Sequence, residues 1–223
     1  MTTLTKTRIL DAAEQLFADH GFSNTSMRDI TAAAEVNLAA VNYHFGSKES
    51  LFIAVMERGT IPLNQERLRR LDELETNAGG TPLATEELVR AFLTPMFEVR
   101  NGWTEPRSKD SFLKLVGRSH TGLEPTLHAK LVGQYEEVIQ RFSQALVRSL
   151  PHLQPAGLIW RTLFLVGSMS FTMTWAGTVL NNRPQAQLAP QEILEELIQF
   201  TAKGLSAPAR FAGRTQATPE VGQ

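Results

Sequence analysis

The sequence predicts an all-α protein built from a small N-terminal unit and a larger helical bundle. Apolar residues recur at helical spacing through most of the 223 residues, alternating strand-like runs are nearly absent, and turns holding Gly or Pro separate one helical pattern from the next. With 42% hydrophobic residues, the chain can bury one large core or two small ones without covalent staples.

Ile9, Ala12, Ala13, Leu16 and Phe17 keep the i, i+3, i+4, i+7, i+8 spacing of an amphipathic helix, and Gly21 stops it at a C-cap position. In "NTSMRDI", Thr25 or Ser26 can cap a second helix, and Asp29 places a negative charge near its N-terminus, where the dipole favours one. That helix runs to about Ala34. The break "EVN" ends in Asn37, which caps a short third helix closed by Gly46. Ser47 then caps the long pattern "KESLFIAVMERGTIPLNQERLRRLDELE", which Gly59 and Pro62 should bend or break. After a Gly-Gly-Thr-Pro loop near residue 80, helical patterns recur at 86–100, 109–120, 125–150, 155–181 and 190–205, with no repeat period. "SAPARFAGRTQATPEVGQ" lacks apolar periodicity and reads as a flexible tail over 206–223. The expected division is therefore 1–50, 51–205 and 206–223, with the connecting helix starting at about 48.

Composition narrows the chemistry. There is no cysteine, so disulfides, thiolate zinc sites and Cys nucleophiles are excluded, which suits a reducing compartment. The N-terminus has no unbroken apolar segment, and the expected location is the cytoplasm. A net charge of −1 neither advertises nucleic-acid binding nor opposes it, because a local face decides. The five histidines are scattered and "NAGGTP" lacks the Lys of a phosphate-binding loop, so no metal and no cofactor is expected. Residues 162–180 carry no charge over a length that could span a bilayer. Their Ser, Thr and Gly content and Arg161 at the entrance favour a helix approached closely by another helix, and no membrane partner is expected.

The short third helix carries the functional signal. At about 100° per residue, Leu38, Val41 and Phe45 fall on one stripe that should dock it. Ala39 and Tyr43 lie opposite, flanked by Ala40 and Asn42, with His44 at the rim. Two helices joined by a three-residue turn, the second docked through one stripe, match a helix-turn-helix that lays its second helix in the DNA major groove. Alanines let the helix axis approach base edges, and Asn42 can pair bidentately with adenine. Arg28, Tyr43, His44 and Lys48 suit phosphate oxygens, joined by the amides at the start of the second helix. Taken alone, a Tyr-His pair is ordinary half-buried packing; the combined arrangement points to DNA.

Thr7 to Met56 resembles the N-terminal DNA-binding domain of the TetR family of transcriptional regulators. Ala13, Leu16, Phe17, Gly21, Thr25, Ile30, Val36, His44, Phe45, Ser47, Lys48 and Leu51 stand at the landmarks. Two departures are visible. Glu35 replaces the usual turn glycine, which demands either a left-handed non-glycine residue or a different turn. Asn42 replaces a common tyrosine, which favours base reading or a neutral role over a phosphate contact. The string "NLAAVNYHFGSKE" looks closest to a branch with regulators of fatty-acid metabolism and stress responses.

The resemblance implies a homeodomain-like three-helix unit on a TetR-like bundle. It also implies a homodimer through the helices at about 155–181 and 190–205, which presents two recognition helices to a palindromic double-stranded operator. The expected DNA-binding set, from the face of the third helix and its surroundings, is Thr25, Arg28, Asn37, Ala39, Ala40, Asn42, Tyr43, His44 and Lys48. Residues 155–181 are apolar on too many sides for a monomer's surface helix, and Ile193, Leu197, Ile198 and Leu205 share one side of the last helix; the competing reading places 155–181 at the buried centre of a monomer. Family members usually sense a small ligand in the bundle. Phe92, Met96, Phe97, Trp103, Phe112, Leu115, Met169, Met173 and Trp175 supply an apolar lining, and Arg118 or His120 an acidic-headgroup contact, although Met and aromatics at helical spacing are more often core. The expected function is a transcriptional repressor released from its operator by a small lipophilic ligand, and not an enzyme. The alternatives are an all-α enzyme or small-molecule carrier that uses the bundle, for which no nucleophile, base and oxyanion donor assemble, and a membrane-surface helical protein.

Overall fold

The computed structural model describes the backbone of residues 2–102, 109–119, 123–180 and 183–208; within these, the side chains at 2, 3, 99–102, 109, 110, 113, 118, 174–180 and 184 lie outside the description. Among the described residues there are ten α-helices, a 3-10 turn at Pro184–Ala186 and no strand.

The N-terminal unit is α1 (Thr2–His20), α2 (Met27–Ala33) and α3 (Leu38–Phe45), which pack on the start of α4 (Lys48–Ala78). Ile9, Ala13 and Phe17 of α1 are fully buried, as the spacing predicts, against Ile30, Val41, Leu51, Phe52 and Val55. Phe52 meets Phe17 and Phe22 edge-on, each with centroids 5.1 Å apart, a geometry that adds quadrupole attraction to area burial. Gly21 ends α1 at φ 81°.

α4 is one continuous helix of 31 residues, not two. Pro62 leaves the carbonyl four residues earlier without its helical donor, yet packing on both sides of this turn holds the helix together. Gly59 has a steric task rather than a breaking one. A Cβ there would lie 2.1 Å from Phe112 Cε2, so α6 (Lys109–Ser119) reaches α4 only because position 59 has no side chain.

The bundle comprises α5 (Thr85–Gly102), α6, α7 (Pro125–Gly133), α8 (Glu136–Ser149), α9 (Pro155–Leu180) and α10 (Pro190–Ser206). The single pattern expected over 125–150 is divided, because the amides of Gln134 and Tyr135 turn back to carbonyls three residues earlier and end α7. α10 packs on α5 and α9, while α6 packs on both α1 and α9, so one helix touches the N-terminal unit and the far side of the bundle. Arg90 grips Glu195 at 2.6 and 2.8 Å and ties α5 to α10. Of the expected tail, 209–223 lies outside the described residues.

The last two helices differ from expectation in detail. The stripe Leu197, Ile198 and Leu205 is buried within the protomer, with Ile193 half-buried, so that side of α10 is spent on α5 and α9. Exposed apolar residues lie instead on α9, where Ile159, Trp160, Leu163, Phe164 and Phe171 all face out, and at Phe200 on α10. Trp160 is 61% and Phe164 64% exposed, which removes the reading of α9 as a buried monomer centre. By length and composition Pro155–Met173 could cross a membrane, but Arg161 within it donates to the carbonyls of Leu205, Ala207 and Pro208 and pins α9 to the end of α10.

Candidate functional site

The helix-turn-helix is built by its caps. Ser26 is the N-cap of α2: its hydroxyl accepts the Asp29 amide at 3.2 Å, and the Asp29 carboxylate accepts the Ser26 amide at 2.9 Å. The Ser26 hydroxyl and then its amide hold the Asp29 carboxyl below its ordinary value. This carboxylate occupies the start of α2, which makes those amides a poorer anion site than the sequence suggested. At the other end of α2 the Val36 amide reaches the Thr31 carbonyl at 3.0 Å, the six-to-one bond of a Schellman motif. That motif needs a left-handed residue, and Glu35 supplies it at φ 50° where a glycine is usual. Arg8 secures the strained turn by donating to the Ala34 carbonyl at 2.6 Å and the Glu35 carboxylate at 3.1 Å.

Asn37 caps α3 by accepting the Ala40 amide at 2.8 Å, which commits its side-chain oxygen to the helix. Val41 is fully buried and Phe45 half-buried, so these two dock α3. Leu38 does not join them: it is 43% exposed and stands at the front of the helix. Leu38, Ala39, Asn42 and Tyr43 therefore form the open face, with Tyr43 81% exposed. Ala40 and His44 are half-buried at its edges, and the His44 ring meets Tyr43 edge-on at 5.2 Å. This face has the small and hydrogen-bonding surface that close approach to base edges requires.

The cations around it divide into two kinds. Arg28 is exposed and makes no ion pair among the described residues, as a phosphate contact needs. Lys48 is half-buried and turned inward: its ammonium donates to the carbonyls of Phe22 and Thr25 at 2.8 and 2.9 Å and lies 4.2 Å from the Phe22 ring centroid. Two of its three N–H groups are thereby used in holding the loop before α2 against α4. Thr25 is buried, with its hydroxyl donating to the carbonyls of Gly21 and Leu16, so its side chain closes α1 instead of facing out. Leu38 was expected on the docking stripe, because an apolar residue at that spacing reads as core.

In the bundle, Met96, Phe112, Leu115 and Met169 are buried, while Phe92 and Met173 are half-buried. Phe92 meets Phe142 edge-on, Phe112 fills the gap over Gly59, and Met169 comes from α9. Trp103 and His120 lie outside the described residues, as do the side chains of Arg118 and Trp175. Arg67, which sequence reasoning passed over, stands at the centre, only 1% exposed. Its Nε donates to the Phe92 carbonyl at 2.9 Å, Nη1 to the Asn64 side chain at 3.2 Å and Nη2 to the Met169 sulfur at 3.8 Å, with the guanidinium 4.0 Å from the Phe92 ring centroid. Every one of these partners is neutral. Burial lowers its pKa to about 10, so it stays charged at neutral pH. The periodicity held the clue: Leu63, Arg67 and Leu71 share one buried i, i+4 row, whereas Glu66, Arg69 and Arg70 pair with one another on the outer side.

Comparison with known proteins accords with this geometry. The family model described as bacterial regulatory proteins, tetR family, matches residues 9–55, and the model for a tetracyclin repressor-like C-terminal domain matches residues 90–204, more than half of the chain. Among curated relatives, the HTH-type transcriptional repressor NicS of Pseudomonas putida is 39% identical over 69 residues, 30% of this chain and 32% of that protein. The probable HTH-type transcriptional regulator YttP of Bacillus subtilis is 43% identical over 51 residues, 23% of this chain and 25% of that protein. These matches span about a quarter to a third of the relatives' lengths. In structure, AibR in complex with isovaleryl coenzyme A and operator DNA aligns at TM-score 0.61 and 19% identity, covering 88% of this chain and 97% of that one. A tetR-family bacterial regulatory protein from Rhodococcus RHA1 aligns at TM-score 0.63 and 16% identity, covering 92% and 98%. With one family model on the capped helix-turn-helix and the other over most of the bundle, the chain belongs to the TetR family of DNA-binding transcriptional regulators.

Proposed function

We propose that this regulator is a repressor that binds a palindromic operator as a homodimer and is released by a small lipophilic ligand held in the bundle. The observation that carries the reading is the unpartnered apolar face of α9, with Trp160 and Phe164 on it, in a protomer that also exposes one recognition helix. Soluble monomers rarely leave a contiguous apolar surface of this kind in water, and a second copy placed against it supplies the second recognition helix that a palindrome needs. A ligand binding one dimer geometry better than another then shifts operator affinity by its differential binding energy.

Within each half-site, Ala39, Asn42 and Tyr43 face the bases with Leu38 in front, and Arg28 and His44 take phosphates. Ala40 lies at the edge of the contact, Asn37 and Thr25 act by shaping the helix ends, and Lys48 offers its remaining N–H to the backbone. The protein acts in the cytoplasm, where the operator is. NicS is a transcriptional repressor, and AibR binds isovaleryl coenzyme A and operator DNA in one complex, which supports the reading of repression and ligand binding here.

The test is selection of bound sequences from random duplex DNA, repeated with a panel of lipophilic ligands. An enriched palindrome that one ligand class releases is expected, and a profile without any palindrome overturns the reading. Asn42→Ala should relax preference at one base pair per half-site by about 1–3 kcal/mol. An unchanged profile in that variant removes Asn42 from base reading.

A further inference from the structure

We infer that the bundle ligand is a small organic carboxylate, with its charge received by Arg67 and its body by the apolar side chains around it. The inference rests on the ligand-responsive reading above and adds the chemical class.

The argument starts from how this chain treats its other arginines. Arg58 is paired with Asp11 and Glu14 at 2.7 and 2.6 Å, Arg70 with Glu66 and Glu98, Arg90 with Glu86 and Glu195, and Arg141 with Asp72 and Glu75. All of these are more exposed than Arg67. Arg67, where water is absent and a counter-charge matters most, makes no ion pair among the described residues. A guanidinium has five N–H donors, and neutral acceptors take three of them, which leaves two without a described acceptor.

The surroundings add a donor that is not used. The Asn64 side chain also donates to the Gln134 carbonyl at 3.1 Å, and the Thr60 hydroxyl donates to the Gln134 side-chain oxygen at 2.9 Å. The Gln134 Nε2 is then left buried with no partner. The adjoining Tyr135 phenol lies within electrostatic reach of Arg67 and is enclosed enough that desolvation raises its pKa. Guanidinium, carboxamide NH2 and phenol therefore gather where α4, α5, α9 and the α7–α8 turn meet, and the charge that would satisfy them is negative. One buried positive charge matches one carboxylate, not the several charges of a phosphorylated carrier. Phe92, Met96 and Met169 make the rest of the surroundings apolar.

The experiment measures binding to the DNA-free protein by calorimetry, using octanoate against octanamide and phenylacetate against phenylacetamide. In the wild type an acid should bind at least tenfold tighter than its amide. Arg67→Met should lower acid affinity at least tenfold while changing the amide by less than twofold, with the helical circular dichroism signal retained. Gln134→Leu and Tyr135→Phe, at half-buried positions, should each narrow the acid-to-amide ratio and serve in place of Arg67→Met if that variant does not fold. Equal response of the wild type to acid and amide, including none to either, overturns the assignment, as does an unaltered ratio in the variants. Because no DNA is present, failure to select a palindrome overturns the repressor reading separately from this one.

Discussion

The recognition end and the α9 end of this protomer are both left open, but in opposite ways. α3 presents Ala39, Asn42 and Tyr43 with no formal charge, and the nearest cations stand around it or are turned inward. α9 presents Trp160, Leu163, Phe164 and Phe171, groups with little to offer but area. Hydrogen-bonding groups lose little by waiting in water, since they exchange solvent for a partner at small net gain. Apolar area carries a cost in water for as long as it is open, about 1.5–3 kcal/mol for each large side chain. On this comparison, association through α9 should be tight and independent of DNA, whereas DNA binding should be weaker, salt-dependent and set by sequence.

The largest expected effect is at the apolar end. Phe164→Glu removes one aromatic side chain from each copy and brings two carboxylates to the same surface, which should weaken the dimer by about 4 kcal/mol. Sedimentation velocity should show monomers at micromolar concentration, and operator binding should fall with dimerisation. A stable dimer in this variant would move the interface elsewhere.

Between the ends, Gly59→Ala drives a methyl into the Phe112 ring, which is buried. The expected loss is about 2 kcal/mol, roughly a 6 °C fall in melting temperature. α6 touches both α1 and α9, so displacement here should reach both ends where Phe164→Glu reaches one.

At the recognition end, Lys48→Met and Arg28→Ala should separate folding from binding. The first removes a charged donor to two carbonyls and should cost about 1.5 kcal/mol of stability. The second should leave the melting temperature unchanged while reducing the salt slope of DNA binding by about one unit. Equal stability of the two variants would sink the structural role of Lys48.

The smallest effect concerns Glu66. The hydrogen bond from Arg69 leads the causes that hold its carboxyl at about 2, against an ordinary 4.5. A depressed folded value means that the stabilisation is complete above 4.5 and is lost as pH falls toward 2. The pair is partly solvated, so Glu66→Gln should cost less than about 1 kcal/mol at pH 7, and the two proteins should converge in acid melts.

Much of this was legible in the sequence, for reasons that differ by residue. The caps Asn37 and Ser47 announce themselves because a side-chain oxygen at a helix start has one local task, and Ser26 was one of two candidates beside Thr25. Glu35 at φ 50° was one of two alternatives the spacing allowed, since the turn length fixes the backbone more firmly than the residue type does. Side-chain placement was read less well where a side chain turns inward through contacts made far along the chain. Lys48 and Thr25 read as wholly outward-facing until Phe22, Gly21 and Leu16 are seen to accept their hydrogen bonds. α4 was expected to bend or break because Pro62 acts locally; it does not break, because residues on both sides of the proline pack into the core. Arg67 was lost among neighbouring charges, although its place between Leu63 and Leu71 set it apart.

The unbroken α4 also has a mechanical meaning. Lys48 and Arg67 are 19 residues apart on one helix, so at about 1.5 Å per residue the grip on the recognition unit and the buried guanidinium sit roughly 28 Å apart on the same rod. A rod of that length magnifies angle into distance: a tilt of about 5° at the level of Arg67 carries the Lys48 end by about 2.5 Å, close to the length of a hydrogen bond. Split in two at Gly59 or Pro62, the helix would absorb such a tilt at the joint; as one helix, it would carry the displacement toward the loop that positions α2 and α3.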